Sequence, residues 1–264
     1  MTADPTLDPT KIRERALSTA TEAKGLLYSL GGDYMTSQEA RVAAKDLGMK
    51  GWPFYFGGRV GVLGPVSADV VHAVVGFFPA DHVVESWSAA RDPLAPRLDS
   101  VVDRYTALQR SWADAHLTGL DEQDAAELAD LMRDVAAGME TGLSPLAAAW
   151  ATMPEPSAPR HRVVHWAHVL REQRGGLHLA AVQMAGLNPL EAIVAGPVGE
   201  AGAKFYRWTE PYPQPDDSMR LFRDEAEEIT DELSSRAYRG LDETQSERLV
   251  ELLGKAVAVS RESK

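Results

Sequence analysis

Apolar side chains return every three and four residues through most of this chain, a period that suits an α-helix and not a strand. Met219, Phe222, Ala226, Ile229, Leu233 and Ala237 step by 3, 4, 3, 4 and 4, and Val101, Tyr105, Leu108, Trp112 and Ala115 by 4, 3, 4 and 3. Ile12, Ala16, Ala20, Ala23, Leu27 and Leu30 describe one face of a helix that starts near Asp8 and ends at Gly31-Gly32. Helix starts are marked in turn by Ser37, Ser67 and Asp121, and Pro145 precedes an alanine-rich turn from Leu146 to Ala151. The expected fold class is all-α.

Two stretches break the pattern. Between Gly51 and Pro65 the chain places four aromatics and five glycines in fifteen positions, which reads as a close-packed loop or a broken helix. Met153 to Pro159 holds three prolines in seven residues, a run that opposes helix and marks a lobe boundary. The expected organisation is therefore two helical lobes, residues 1–153 and 160–264. In the second, a helix from about Arg160 to Arg174 is broken by Gly175-Gly176 and resumes from Leu177 to Ala185. A turn at Gly186-Leu-Asn-Pro189 and a helix from Leu190 complete a helix-turn-helix order. Asp242 and Gln245 start the last helix, whose Leu249, Leu252, Leu253 and Val257 form a core face or pair with a second copy in a homodimer.

Composition narrows the function. Lys and Arg total 27 against 39 acids, a net charge of −12, so nucleic acid is disfavoured as a partner unless a local basic patch meets it. Residues 203–264 do not supply one, with 10 basic side chains against 14 acidic. The absence of cysteine excludes thiolate nucleophiles and Cys-ligated zinc. No signal-like leader and no apolar run long enough to span a bilayer is visible, which fits a cytoplasmic protein with no membrane partner. The residues name no cofactor.

Four of the seven histidines fall between Arg160 and His178, beside four arginines and a single acid, Glu172. At about 100° per residue, His161, His165, His168 and Glu172 share one stripe of a helix. That stripe is a solvated polar face, or an ion-binding set made from two i,i+4 pairs, or the edge of an anion pocket. In the last case Arg171 and Arg174 supply forked donors and Gly175-Gly176 exposes N–H groups at a helix start. A zincin is excluded, because His161-Arg-Val-Val-His165 contains no glutamate. Asp69 with His72 and His82 with Glu85 repeat a carboxylate–histidine spacing that arises easily by chance. Arg59 lies in an aromatic, otherwise uncharged stretch, either paired with a carboxylate or aimed at a ligand. Trp52, Phe54, Tyr55 and Phe56 are core aromatics or the wall of an apolar pocket. No P-loop, dinucleotide fingerprint or nucleophile elbow is present.

The run Leu47-Gly-Met-Lys-Gly-Trp-Pro-Phe-Tyr-Phe-Gly-Gly-Arg59, followed by Leu63-Gly-Pro-Val-Ser67, resembles the first-lobe motif of an actinobacterial helix-turn-helix-like family of two-lobed α-helical proteins. His165, Leu170-Arg-Glu-x-Arg-Gly-x-x-His178, Ala180-Ala181 and Gly186-Leu resemble its second-lobe segment, and the likeness spans residues 30 to 255. The resemblance implies a second lobe similar to the winged helix of MarR-type regulators. Two features differ: Pro211-Tyr-Pro-Gln-Pro215 leads straight into the long helix, so the wing is reduced or missing, and Gly176 replaces a usual aspartate. The polar set shared with the family is Arg59, His165, Arg171, Glu172, Arg174 and His178.

Together these readings point to a protein that binds a small anionic or aromatic molecule through Trp52, Tyr55, Arg59, His165, Arg171, Glu172, Arg174 and His178, as a ligand-responsive transcriptional regulator. The alternative is an enzyme of actinobacterial secondary metabolism with an inter-lobe pocket. There His165 or His178 carries a proton, Glu172 orients it, and the arginines hold the substrate. A third role, as an interaction protein that dimerises through its last two helices, is compatible with both, and the polar set can also simply satisfy buried groups.

Overall fold

A computed structural model describes residues 8–262; the outermost residues of the two expected lobes, 1–7 and 263–264, lie outside it. Short polar side chains start many of the helices. Asp8 caps α1 (Pro9–Leu30), and Ser37 caps α2 (Gln38–Asp46). After α3 (Gly51–Val60), Ser67 caps α4 (Ala68–Val74), which is followed by α5 (Ala80–Ala90) and α6 (Leu98–His116). Asp121 accepts from two backbone N–H groups at the start of α7 (Glu122–Ala137), and α8 (Pro145–Ala151) precedes α9 (Pro159–Met184). Asn188 and Glu191 form a reciprocal capping box on α10 (Pro189–Ala195), and α11 (Gly199–Phe205) follows directly. Asp216 caps α12 (Asp217–Ser235), and Asp242 and Gln245 exchange bonds at the start of α13 (Glu243–Glu262).

The fold is all-helical, and no strand forms among the described residues. Residues 206–216, where a wing would lie, run irregularly through Pro211, Pro213 and Pro215. None of the described helices is long and apolar enough to cross a membrane.

The central element is α9, which packs against α1, α6, α7, α8, α10 and α12. Its 26 residues correct the expectation of a break at Gly175-Gly176. Two interior glycines cost a helix about 1–2 kcal/mol together, less than is gained by burying its surfaces against six neighbours. The stretch from Gly51 is likewise helix, with a 3₁₀ turn over Gly61–Leu63, and not a loop. Pro53 sits in the first turn, where no backbone donor is missed. Gly57 and Gly58 serve close packing: a Cβ on Gly58 would lie 2.3 Å from the Tyr105 ring of α6.

One hydrophobic cluster runs from Ala16 in α1 to Val257 in α13, crossing the proline boundary at 153–159. The stripe of Leu249, Leu252, Leu253 and Val257 is buried in this cluster, with α13 against α1, α7 and α6, so it offers no face to a second copy. A smaller cluster of Ala181, Val182, Ala185, Leu187, Ala192 and Ala226 ties α10 to the C-terminal part of α9 and the middle of α12.

The two adjacent glycines of α9 have opposite surroundings. A Cβ at Gly176 would meet the Leu143 carbonyl oxygen at 2.5 Å and the Ser144 hydroxyl at 2.6 Å, whereas one at Gly175 meets nothing within 4 Å. Gly176→Ala is expected to destabilise the fold by about 1–3 kcal/mol, and Gly175→Ala to stabilise it by about 0.5–1 kcal/mol. Urea unfolding of the two variants checks the signs.

Candidate functional site

Between the two hydrophobic clusters lies a cavity of about 1300 Å³. Its walls come from α1 (Lys24, Tyr28), α3 (Tyr55, Arg59), the 73–78 segment (Phe77, Phe78), the turn before α8 (Leu143, Ser144), and the Leu170–Leu179 face of α9. The roof is α10 and α11, through Ile193, Gly196, Phe205 and Tyr206, and α12 closes the far side with Arg223 and Glu227. Phe78 and Tyr206 stack edge to face at 4.8 Å, which fixes the apolar wall.

Six of the eight residues singled out in the sequence line this cavity: Tyr55, Arg59, Arg171, Glu172, Arg174 and His178. Trp52 and His165 do not. Trp52 lies behind Tyr55 and Phe78 and stacks edge-on with His82, beneath the Arg207 guanidinium. His165 is buried beside Trp166, and its Nε2 has no partner among the described residues.

Arg59 and Glu172 form the deepest charged contact. Arg59 Nε donates to Glu172 Oε1 at 2.9 Å and Nη2 to Oε2 at 2.7 Å, while Nη1 donates to the Tyr55 hydroxyl at 2.7 Å. Both partners are buried, and Trp150 fixes the Arg59 backbone by donating to its carbonyl oxygen at 2.9 Å. Burial would raise the Glu172 carboxyl, but the Arg59 guanidinium, helped by His168 and Arg171, holds it down to about 2. Arg171 adds a bond from Nη1 to Glu172 Oε1 at 3.0 Å, its only hydrogen bond among the described residues, and stacks on Tyr28 at 5.0 Å. Glu172 is therefore engaged by arginines, and it does not orient His165 or His178 as the sequence suggested.

The second charged group lies one turn further along α9. Arg174 Nη2 donates to Glu227 at 2.6 Å and to Asp231 at 2.9 Å; Lys24 pairs with both of these acids and Arg223 with Glu227. His178 Nδ1 lies 2.9 Å from the Thr230 hydroxyl, and its ring stacks on Phe77 at 5.5 Å. Burial lowers the His178 imidazole to about 4, against the pull of Glu227.

These contacts revise the readings of the histidine stripe. His165, His168 and Glu172 are buried, so the stripe is not a solvated face. Nor does it converge on an ion: His161 pairs with Asp114 at 2.7 Å, His168 Nδ1 lies 3.0 Å from the Tyr34 hydroxyl, and Glu172 turns to Arg59. Among the described residues no three His, Asp or Glu side chains are grouped to hold a metal. Because α9 is continuous, Gly175-Gly176 also presents no free N–H groups.

The lining carries five cations, Lys24, Arg59, Arg171, Arg174 and Arg223, against three carboxylates, Asp33, Glu172 and Glu227. Asp231, which pairs with Lys24 and Arg174, reduces the surplus to one positive charge. In a chain of net charge −12 this is a local reversal of sign.

Residues 20–264 match the sequence model of a helix-turn-helix family. The chain belongs to that family. No curated protein and no solved structure matches it. The helix-turn-helix order, α9, the turn at 186–188 and α10, also builds part of the cavity wall. Sequence reasoning missed Tyr28, Phe77, Tyr206, Arg223 and Glu227 in that wall. Only the charge-rich spacing Arg223–Glu227–Asp231 on one face of α12 could have signalled the last two.

Two tests follow from the buried charges. Arg59→Met leaves Glu172 without its main partner and is expected to destabilise the fold by about 3–5 kcal/mol, and adding Glu172→Leu should recover part of the loss. Burial also lowers His165 to about 4, His168 to about 3 and His178 to about 4. The unfolded chain therefore binds more protons than the folded one between about pH 6.5 and 4, so stability falls as pH falls through that window. Each histidine contributes up to about 1.4 kcal/mol per pH unit. Urea unfolding at pH 7, 6 and 5 should show a steady loss, and an unchanged midpoint would contradict these environments.

Proposed function

We propose that this helix-turn-helix protein binds an aromatic anion in the cavity under α10 and α11. The observation that carries the reading is the positive lining inside a strongly acidic chain, beside the aromatic wall of Tyr28, Phe77, Phe205 and Tyr206. Aromatic faces supply the apolar contact area, and a cation surplus in a partly enclosed site selects negative charge. Arg171 is the chief anion contact in this reading, since Glu172 occupies only its Nη1. Tyr55, Arg59, Glu172, Arg174 and His178 complete the proposed binding set.

A regulatory role goes with it. The roof includes α10, the second helix of the helix-turn-helix order, so an occupant touching Ile193 contacts an element that would meet DNA. Residues 189–210 hold Lys204 and Arg207 against Glu191, Glu200 and Glu210, so any DNA contact would be weak and salt-sensitive. A mobility-shift assay on DNA upstream of its own gene, with and without ligand, addresses this part alone. A shift that the ligand alters supports regulation, and no shift at low salt removes DNA and leaves ligand binding standing.

For the binding reading, two fluorescent probes of like shape serve: 8-anilinonaphthalene-1-sulfonate, an anion, and N-phenyl-1-naphthylamine, its neutral analogue. The native protein should bind the sulfonate at least about tenfold more tightly, the effect of one charge-assisted bond. Arg171→Gln should erase that preference, and Gly175→Leu, at a lining position where a Cβ meets nothing within 4 Å, should abolish binding of both. Equal affinity for the two probes, or full binding by Gly175→Leu, would overturn the reading.

A further inference from the structure

The hydrogen bonding around His178 settles which ring nitrogen carries its proton. Thr230 Oγ1 lies 2.6 Å from the Ala226 carbonyl oxygen. Two oxygens at that separation repel unless a proton lies between them, and a carbonyl has none to give, so the Thr230 hydroxyl donates to Ala226. The same hydroxyl is 2.9 Å from His178 Nδ1 and has only its lone pairs left for that contact. Nδ1 must then be the donor, and in the neutral ring Nε2 is a bare acceptor. Stacking on Phe77 at 5.5 Å, with the planes 20° apart, holds the ring in this orientation.

Nε2 has no hydrogen bond among the described residues. The nearest acid oxygen is Glu227 Oε1 at 3.8 Å, itself an acceptor, already bonded by Arg223 at 2.8 Å. Two acceptors facing each other at the edge of a cavity call for a donor from outside the protein. On α9, His178 lies seven residues from Arg171, nearly the same direction around the helix and about 10 Å along it. That spacing is about the length of two fused aromatic rings with a polar group at each end.

We propose that the cavity takes an aromatic anion that also bears a hydroxyl at its far end, the anion held at Arg171 and the hydroxyl donated to Nε2 of His178. This deepens the binding reading above and rests on it. Thr230 is a positioning residue in this scheme, because it sets the tautomer and does not touch the ligand. A hydroxyl at this position would be polarised by the imidazole, and an ether could not replace it.

The test compares 6-hydroxy-2-naphthoate with 6-methoxy-2-naphthoate by calorimetry on the full chain. The hydroxyl compound should bind about tenfold or more tightly, since the ether leaves the Nε2 acceptor unpaired. His178→Phe should bring the ratio to about one, and Thr230→Val should reduce it while moving the ring toward the Nε2–H form. Because either variant can perturb folding, a long-range ¹H–¹⁵N spectrum of the native protein at pH 7 gives an independent readout. The Nδ1–H tautomer of His178 is expected, and the Nε2–H tautomer would overturn the proposal. A ratio near one with the anilinonaphthalene sulfonate still bound would overturn it too, while leaving the aromatic-anion reading intact. Failure of all three anions to bind would remove both.

Discussion

A carboxylate in the middle of a protein has to be met by positive charge, and Glu172 sits there, near the midpoint of the helix that six others pack on. Its partner Arg59 comes from α3, more than a hundred residues earlier, and holds it with two parallel bonds. The pair joins α3 to α9 at one fixed depth and orientation, because a forked contact tolerates little rotation. Around it the constraints accumulate: Tyr55 takes the third Arg59 donor, Trp150 fastens the Arg59 backbone, and Gly58 lets α3 close on Tyr105. The polar floor of the cavity is thus a by-product of the contact that sets the register of the core.

What the sequence made legible divides along physical lines. Helix positions were readable because caps and apolar periods are local, as with Ser67, Asp121 and the Asp242–Gln245 pair. Glycine was the main source of error. Gly175, Gly176, Gly57 and Gly58 look like breaks when judged by backbone freedom, yet three of them meet a neighbouring segment where a Cβ would crowd. Local propensity cannot report a requirement imposed by a distant segment.

The site shows the same division. Arg59, Arg171, Glu172, Arg174 and His178 were legible as unusual polar residues on apolar or mixed helices, and all five line the cavity. Their pairing was not, because Arg59 with Glu172 and Arg174 with Glu227 join residues far apart in the chain. His165 looked equivalent to its neighbours in sequence, but the rotation of α9 turns it away from the cavity toward Trp166. The stripe of α13 was ambiguous for a related reason: a face that fits a second copy also fits the rest of its own chain.

The opposite signs of the whole chain and of its cavity also bear on how quickly an anion could enter. Far from the surface a negative solute meets a repelling field and approaches uphill, and only within the mouth does the local surplus of cations turn the potential in its favour. Mobile ions cut off the outer field beyond about 8 Å at physiological ionic strength, but they screen charges under the helical roof far less. Added salt therefore acts mostly on the approach and lowers the long-range barrier, so arrival quickens while the bound contacts change little.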